Sequence, residues 1–386
     1  MKISNLTFIV TDNCNYNCSY CPQKKEKKTI NNTIIKTAVD FFYPFFTGDD
    51  KIHIGFYGGE PLLAYEQIKH AALLVLEKNK TGDKRIEFSL TTNGSLLTGE
   101  MLDFFNFNKF AVTLSFDGLA QEMGRKRGST EQMMRLIKRI QEHPGIDFEI
   151  NSVFSPQTIG KFSESLRFMI EQGGPEITFN LSTIEEWNPA DINTLKEEMQ
   201  RLVDFLVIHY KETGKIPVKN FQGTVPGTDS APGAGTFRCS AGINNMAVTP
   251  EGKLWGCYLF HDYFKTREKN RHLQYRDYYF GTLTDFIVDH ETATCYPRIL
   301  ANYSQLCQDF FQVDGRFCFL CQEVGNCMVC PVNAAYSTGS LGKISCRQCE
   351  LIKIQKNAQR DFNASGGQGG SFRENRPPGP PTKAFD

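Results

Sequence analysis

Hydrophobic and polar residues alternate along the first half of the chain in two rhythms. Short runs rich in β-branched and aromatic residues recur at Leu6–Val10, Ile52–Tyr57, Ile86–Thr91, Phe110–Phe116, Phe148–Phe154 and Ile177–Leu181. Runs this short and this apolar predict buried strands. Between them, apolar residues return with helical spacing over Leu62–Glu77, Thr130–Glu142, Phe162–Glu171 and Leu195–Lys211, the period of a helix with one buried face. Ser129 ahead of Thr130 and Glu131, and Asn193 ahead of Lys196, read as helix entries. Strands alternating with helices predict right-handed βαβ units and a parallel sheet. Six such units are too few for a closed eight-stranded barrel. The expected fold class is therefore α/β, a partial (βα)6 TIM-like barrel.

The rhythm fades near residue 215. Gly223, Pro226, Gly227, Pro232, Gly233 and Gly235 follow in quick succession, and cysteines then become frequent. The expected organisation is a partial barrel over 1–220, a loop-rich domain over 221–362 held by metal sites in place of a large core, and a tail over 363–386. The tail is Gly- and Pro-rich, cannot bury a core, and is expected to be disordered.

Composition narrows the function classes. Lys+Arg and Asp+Glu both number 43, so the formal charge is zero. That balance gives no support to nucleic-acid or membrane-surface binding, which would carry a basic excess. The densest basic run, Lys24 to Lys28, reads as solvated. No stretch is long and apolar enough to predict a transmembrane helix. No cleavable targeting segment is visible, so a cytoplasmic location is expected. In a reducing compartment the 13 cysteines do not read as a disulfide framework. They fall in two groups, Cys14, Cys18 and Cys21 first and ten more between Cys239 and Cys349, and clustering of this kind points to metal.

The first group follows the first predicted strand directly. Its CxxxCxxC spacing puts three thiols on one loop at the end of the sheet where α/β folds build active sites. Three thiolates bind three irons of a [4Fe–4S] cluster and leave the fourth open to a small molecule. A closed zinc site needs a fourth ligand, and no other Cys or His lies close by in sequence. The motif, with Tyr20 before its last cysteine, resembles the radical S-adenosylmethionine (SAM) superfamily. Gly58-Gly59-Glu60-Pro61 after the second strand resembles that family's GGEP motif, whose backbone takes up the SAM amino group. Asn93 after the third strand, and Ser115 and Asp117 after the fourth, resemble its SAM-contacting positions. Asn151 on the fifth strand is a further match. Arg127 resembles the arginine that pairs with the SAM carboxylate, with Arg125 as the alternative. The resemblance covers roughly residues 5–215. It implies a SAM-bound [4Fe–4S] cluster that, once reduced, yields a 5′-deoxyadenosyl radical for hydrogen abstraction.

The second group reads Cys239-x12-Gly252-x4-Cys257, then Cys318-x2-Cys321-x5-Cys327-x2-Cys330, then Cys346 and Cys349. This order resembles the SPASM domain, a C-terminal extension that carries two auxiliary [4Fe–4S] clusters. The resemblance implies Cys239, Cys257 and Cys330 for one cluster. It implies Cys318, Cys321 and Cys327 for the other, completed by Cys346 or Cys349, with Cys346 slightly favoured. The first cluster is then one ligand short. Cys295 or Cys307 could complete it, or the open position could bind a substrate thiolate. Both cysteines also read as simple buried thiols.

Enzymes of this type mostly modify peptides or proteins. The resemblance therefore implies an oxidoreductase-type peptide maturase, with thioether or carbon–carbon crosslinking of a ribosomal peptide as the first choice. Formylglycine formation in a sulfatase is the alternative. Those maturases carry an Asp directly after the cysteine that Cys257 matches, where this chain has Tyr258. A small-molecule dehydrogenase is a further alternative. Expected partners are a peptide or protein substrate, an electron donor such as flavodoxin or ferredoxin, and a separate peptide-recognition protein, because the chain enters its first strand at once.

Overall fold

The computed structural model describes residues 2–46, 51–82, 84–222, 238–266, 274–292, 296–307, 311–321, 323–324, 327 and 329–365. Six parallel strands follow the expected order: β1 (Asn5–Thr11), β2 (Ile52–Gly58), β3 (Ile86–Thr92), β4 (Ala111–Ser115), β5 (Asp147–Phe154) and β6 (Glu176–Leu181). Each pairs with the next in the chain. β6 is one edge of the sheet, so the barrel stays open. Phe8 lies opposite Phe56 in register, and the rings of Phe56, Phe88 and Phe110 stack onward with centroids 5.0–6.4 Å apart. This aromatic layer packs with Phe104 and Phe105 on the helix-covered side of the sheet, and burial of such rings dominates core energetics.

Helices α1 (Asn32–Phe42), α2 (Tyr65–Asn79), α3 (Gly99–Phe107), the short α4 (Gln121–Gly124), α5 (Thr130–Gln141), α6 (Phe162–Glu171) and α7 (Pro189–Thr213) cover the outside. α7 begins well before the entry expected at Asn193. Asn188 caps it, accepting from the amides of Ala190 and Asp191, and Asp191 accepts from the Asn188 amide in return. Pro189 at the first position suits a site that needs no amide donor. Ser129 does not cap α5. Its hydroxyl donates to Lys126 O at 2.7 Å and accepts from Gln121 Nε2.

The sheet does not stop at the barrel. β7 (Asn245–Val248) pairs in parallel with β1, and β8 (Lys253–Trp255) and β9 (Tyr279–Thr282) continue antiparallel beyond it. Gly252, the glycine of the cysteine spacing, makes the turn into β8 with φ 73°, a backbone region that costs other residues a steric penalty. Then follow α8 (Tyr258–Thr266), α9 (Gln274–Tyr278), α10 (Leu283–Thr292), α11 (Tyr296–Ser304), a small ribbon of β10 (Gln312–Val313) and β11 (Arg316–Phe317), α12 (Pro331–Thr338) and α13 (Cys346–Ser365). α13 packs back along α7 and runs into the stretch expected to be tail. Residues 366–386 lie outside the described residues. Among the described residues no helix is long and apolar enough to cross a membrane.

Candidate active site

The loop after β1 carries Cys14, Cys18 and Cys21 to the C-terminal end of the sheet. It is seated on the Gly58–Gly59 turn that ends β2. Gly59 N donates to Thr11 O at 2.9 Å, and Glu60 N to Asn13 O at 2.8 Å. A Cβ on Gly58 would stand 2.1 Å from Thr11 O, and one on Gly59 2.3 Å from Asn13 O. Glycine is needed here so that the cysteine loop can approach. Glu60 is fully buried. Its carboxylate accepts from Leu62 N at 3.1 Å, Thr92 Oγ1 at 2.6 Å and Asn93 N at 2.7 Å. It thereby ties the end of β3 to the turn. Burial raises its pKa, and those three bonds work against the rise. Pro61 is buried behind it. The Asn93 side chain donates to Asn15 Oδ1 at 2.9 Å, a second tie onto the cysteine loop.

Asp117, after β4, is a hub. It accepts from Tyr20 Oη at 2.7 Å, from Arg125 Nε and Nη2 at 2.7 and 2.9 Å, and from Val153 N at 2.8 Å. Both its carboxylate oxygens are therefore engaged by the protein. Arg125 also lies over the Tyr20 ring. Arg127 sits exposed on the surface, whereas Arg125 is buried in the site. Arg125 caps the C-terminus of α4 with its side chain turned inward. Ser115, at the end of β4, stands opposite Asn151 in the middle of β5, and Asn151 Oδ1 accepts from Asn180 Nδ2.

The three thiols fit an iron–sulfur cluster. All are free and partly buried. Burial raises the pKa of each, Cys18 to about 11, and the neighbouring thiols add to the rise at Cys14 and Cys18. A set of thiolates in such a place calls for a cation, and metal binding deprotonates thiols of this kind outright. Three donors leave a [4Fe–4S] cluster one open iron.

The C-terminal thiols gather in two sets. Cys239, Cys257 and Cys330 form one. Burial drives up the pKa of all three, and Cys330 raises those of Cys239 and Cys257. Cys307 is buried, and its neighbour Leu306 accepts from Cys239 N. Cys295 lies outside the described residues. Cys318, Cys321, Cys327 and Cys349 form the second set. They line a single cavity, and the other three raise the pKa of Cys318. Cys346, the slightly favoured candidate, faces outward and donates to Asp314. Its position at the start of α13 points it away, and Cys349, one turn along, faces in.

One residue out of register in the sequence proves central. Asp262 is buried on α8, one helical turn beyond Tyr258. Its carboxyl accepts from Gln23 Nε2 at 3.0 Å and Tyr57 Oη at 3.3 Å. Burial raises its pKa to about 6, while His261 and these bonds work against the rise. Tyr57 is the penultimate residue of β2, and its ring packs on Tyr258 with centroids 3.9 Å apart. The signal was present as the four-residue helical spacing from Tyr258. Asp12 anchors the same helix, accepting from Lys265 Nζ at 2.6 Å and contacting His261 Nε2 at 3.3 Å. Lys28 is paired with Glu26 and Glu251, so the basic run is neutralised at that end.

Residues 8–169 match the Radical SAM superfamily. The chain is 22% identical over 291 residues to the radical SAM cyclopropyl synthase TigE of Paramaledivibacter caminithermalis, a match spanning 68% of this chain and 59% of that one. It is 24% identical over 189 residues to a cysteine-type anaerobic sulfatase-maturating enzyme of Clostridium novyi, spanning 44% and 49%. Its fold matches native anSMEcpe with bound AdoMet at a TM-score of 0.67 and 20% identity, over 94% and 99% of the two chains. It also matches Streptococcus suis SuiB bound to S-adenosylmethionine at a TM-score of 0.56 and 14% identity, over 90% and 75%. The fold likeness thus takes in the cysteine-bearing C-terminal region.

Proposed function

We propose, from the premise that residues 8–169 are a radical SAM domain, that this chain abstracts hydrogen from a peptide substrate. On this reading it matures a ribosomally synthesised peptide by thioether or carbon–carbon crosslinking. The observation that carries the reading is the pair of thiol sets in the C-terminal region, Cys239/Cys257/Cys330 and Cys318/Cys321/Cys327/Cys349, joined to the barrel by the β1–β7 pairing. Support for a peptide comes from a likeness in fold: anSMEcpe has been solved with bound AdoMet and Cp18Cys peptide.

When bound, the cluster and SAM supply a 5′-deoxyadenosyl radical as the hydrogen-abstracting agent. The protein's own residues bind and orient. Cys14, Cys18 and Cys21 hold the cluster. Asn93 and Ser115 at strand ends, and Asn151 within β5, offer polar groups for SAM. Glu60, Asp117 and Arg125 act as positioning residues, fixing the cysteine loop to β2, β3 and β5. The two C-terminal sets hold auxiliary clusters. An acidic one-electron carrier of the flavodoxin or ferredoxin class supplies electrons.

A second reading, formylglycine formation on a protein cysteine, draws support from Asp262. Its buried carboxyl beside Tyr57 could take the proton that an oxidation to the aldehyde releases. The test is anaerobic incubation of the reconstituted protein with SAM, a reductant and a panel of cysteine-containing peptides, followed by mass spectrometry. Loss of two hydrogens from a peptide, matched by 5′-deoxyadenosine, supports crosslinking. Loss of sulfur with gain of an aldehyde supports the second reading. Turnover of a low-mass compound with every peptide left unchanged overturns both.

A further inference from the structure

The second C-terminal thiol set lies at the surface. Cys318, Cys321, Cys327 and Cys349 line a cavity of about 1120 Å3 between the β10–β11 ribbon and α13, and Cys321 is exposed. The rim of this cavity combines an apolar centre with a ring of positive charge.

The centre is Phe317, Phe319 and Leu320. All three are exposed, Phe319 at 53% and Leu320 at 72%. The rings of Phe317 and Phe319 pack on each other with centroids 5.7 Å apart. Single exposed apolar residues are ordinary on a protein surface, whereas a contiguous group of them marks a contact surface.

The charge comes from two elements. Cys349, Lys353, Lys356 and Arg360 succeed one another three or four residues apart along α13, on one helical face. Like charges at these spacings repel. Arg316 adds a cation from β11. Two carboxylates stand in the same walls, and both are engaged, Asp314 by Cys346 and Glu323 by Arg360. Arg316, Lys353 and Lys356 have no ion-pair partner among the described residues. Burial raises the pKa of Cys349 and Lys353 works against the rise, so Lys353 already serves the thiols. Arg316 and Lys356 are left as surplus cations beside an aromatic patch, on a chain whose formal charge is zero. An apolar centre with a cationic rim is complementary to an acidic protein that carries an apolar edge at its own contact face.

We propose that this surface docks a carrier of the flavodoxin type, which presents the dimethylbenzene edge of its flavin mononucleotide within an acidic face. Phe317, Phe319 and Leu320 meet the flavin edge, and Arg316 and Lys356 meet the surrounding carboxylates. Complementary charge steers and aligns such an encounter, and a small contact lets it release. The assignment rests on the reading that an acidic one-electron carrier serves this chain, and it says where that carrier binds.

The test uses the anaerobically reconstituted full chain and three purified carriers in their oxidised forms: an acidic flavodoxin, an acidic [2Fe–2S] ferredoxin and the basic cytochrome c. Binding is measured by isothermal titration calorimetry at about 0.05 M and about 0.3 M salt, across which screening tightens. Flavodoxin is expected to bind, about tenfold or more weakly at the higher salt, and about tenfold or more tightly than either other carrier. Arg316→Glu combined with Lys356→Glu is expected to abolish this binding, and Leu320→Ser to weaken it, with iron content equal to the parent's as the check on folding. Should the double reversal lose iron, Arg316→Gln with Lys356→Gln is expected to weaken binding and flatten its salt dependence. Lys27→Glu, in the basic run after the first three cysteines, is expected to change nothing. Flavodoxin binding that survives the double substitution, or that is lost in Lys27→Glu instead, would overturn the docking surface and leave the carrier reading standing. Tighter binding of ferredoxin than of flavodoxin would overturn the flavin assignment. No binding of either acidic carrier would reject the carrier reading together with the surface.

Discussion

Arg125 grips Asp117 through two parallel hydrogen bonds, Nε to Oδ2 at 2.7 Å and Nη2 to Oδ1 at 2.9 Å, with both side chains almost wholly buried. Tyr20, next to Cys21, donates to the same carboxylate. The pair therefore couples the cysteine loop to the ends of β4 and β5.

Removing Arg125 leaves a buried carboxylate without its counter-charge, a change that costs about 3–5 kcal/mol. Arg125→Ala is expected to lower the thermal midpoint and to reduce SAM cleavage, because Asp117, which anchors Tyr20, loses its counter-charge. Arg127→Ala, at an exposed position, is expected to stay within about 0.5 kcal/mol of the parent. Differential scanning and 5′-deoxyadenosine formation check both. Loss of cleavage in Arg127→Ala alone would contradict the anchoring role given to Arg125.

Gly59→Ala forces a methyl group to within 2.3 Å of Asn13 O and 2.6 Å of its carbonyl carbon. Backbone cannot yield as a flexible side chain can, so the Cys14 loop must shift, at a cost of about 1–3 kcal/mol. The expected phenotype is selective. About four irons are lost with SAM cleavage, while about eight remain on the C-terminal thiols. Iron and sulfide analysis checks it.

Cys349→Ala is expected to remove about four irons, and Cys346→Ala none. Cys349 lines the cavity shared with Cys318, Cys321 and Cys327, whereas Cys346 is turned to Asp314. Equal iron loss in the two variants would contradict this arrangement.

Asp262 gives a pH signature. Its folded pKa, about 6, lies above the unfolded value of about 3.9. Its contribution is therefore fully present below the unfolded value and is lost as pH rises through about 6. Between pH 5 and pH 7 the parent should lose about 1–2 kcal/mol of stability relative to Asp262→Asn. Chemical denaturation across that range measures the difference, and a flat difference would contradict the buried placement of this carboxyl.

The strands and the cysteine sets were legible in the sequence because both follow local rules. Buried parallel strands are short apolar runs, and ligand loops keep fixed spacing. What the sequence hid was long-range. Beside the backbone approach to a ligand that the motif implies, Gly58 and Gly59 also admit the cysteine loop, a long-range contact that no local pattern shows. Arg125 and Arg127 differ by two positions and no local pattern separates them. The choice falls to the turn around Gly124 and Gly128. Cys349 faces the cavity and Cys346 does not, because α13 starts at Cys346 and helical phase sets which thiol turns inward. α1 buries Ile35, Ala38, Val39 and Phe42, the ordinary spacing of one helical face, whereas α3 buries only Leu102 and Phe105, too few to mark a helix by periodicity. β7 joined the barrel sheet by a parallel pairing with β1, which no local signal encodes.

The most direct test of the central claim is 5′-deoxyadenosine formation by the anaerobically reconstituted, reduced protein supplied with SAM, beside a variant with Cys14, Cys18 and Cys21 all changed to alanine. The parent is expected to form 5′-deoxyadenosine and the variant none, while the variant keeps about eight irons on its C-terminal cysteines. Formation by the variant, or none by a parent fully loaded with iron, would contradict the assignment of these three cysteines.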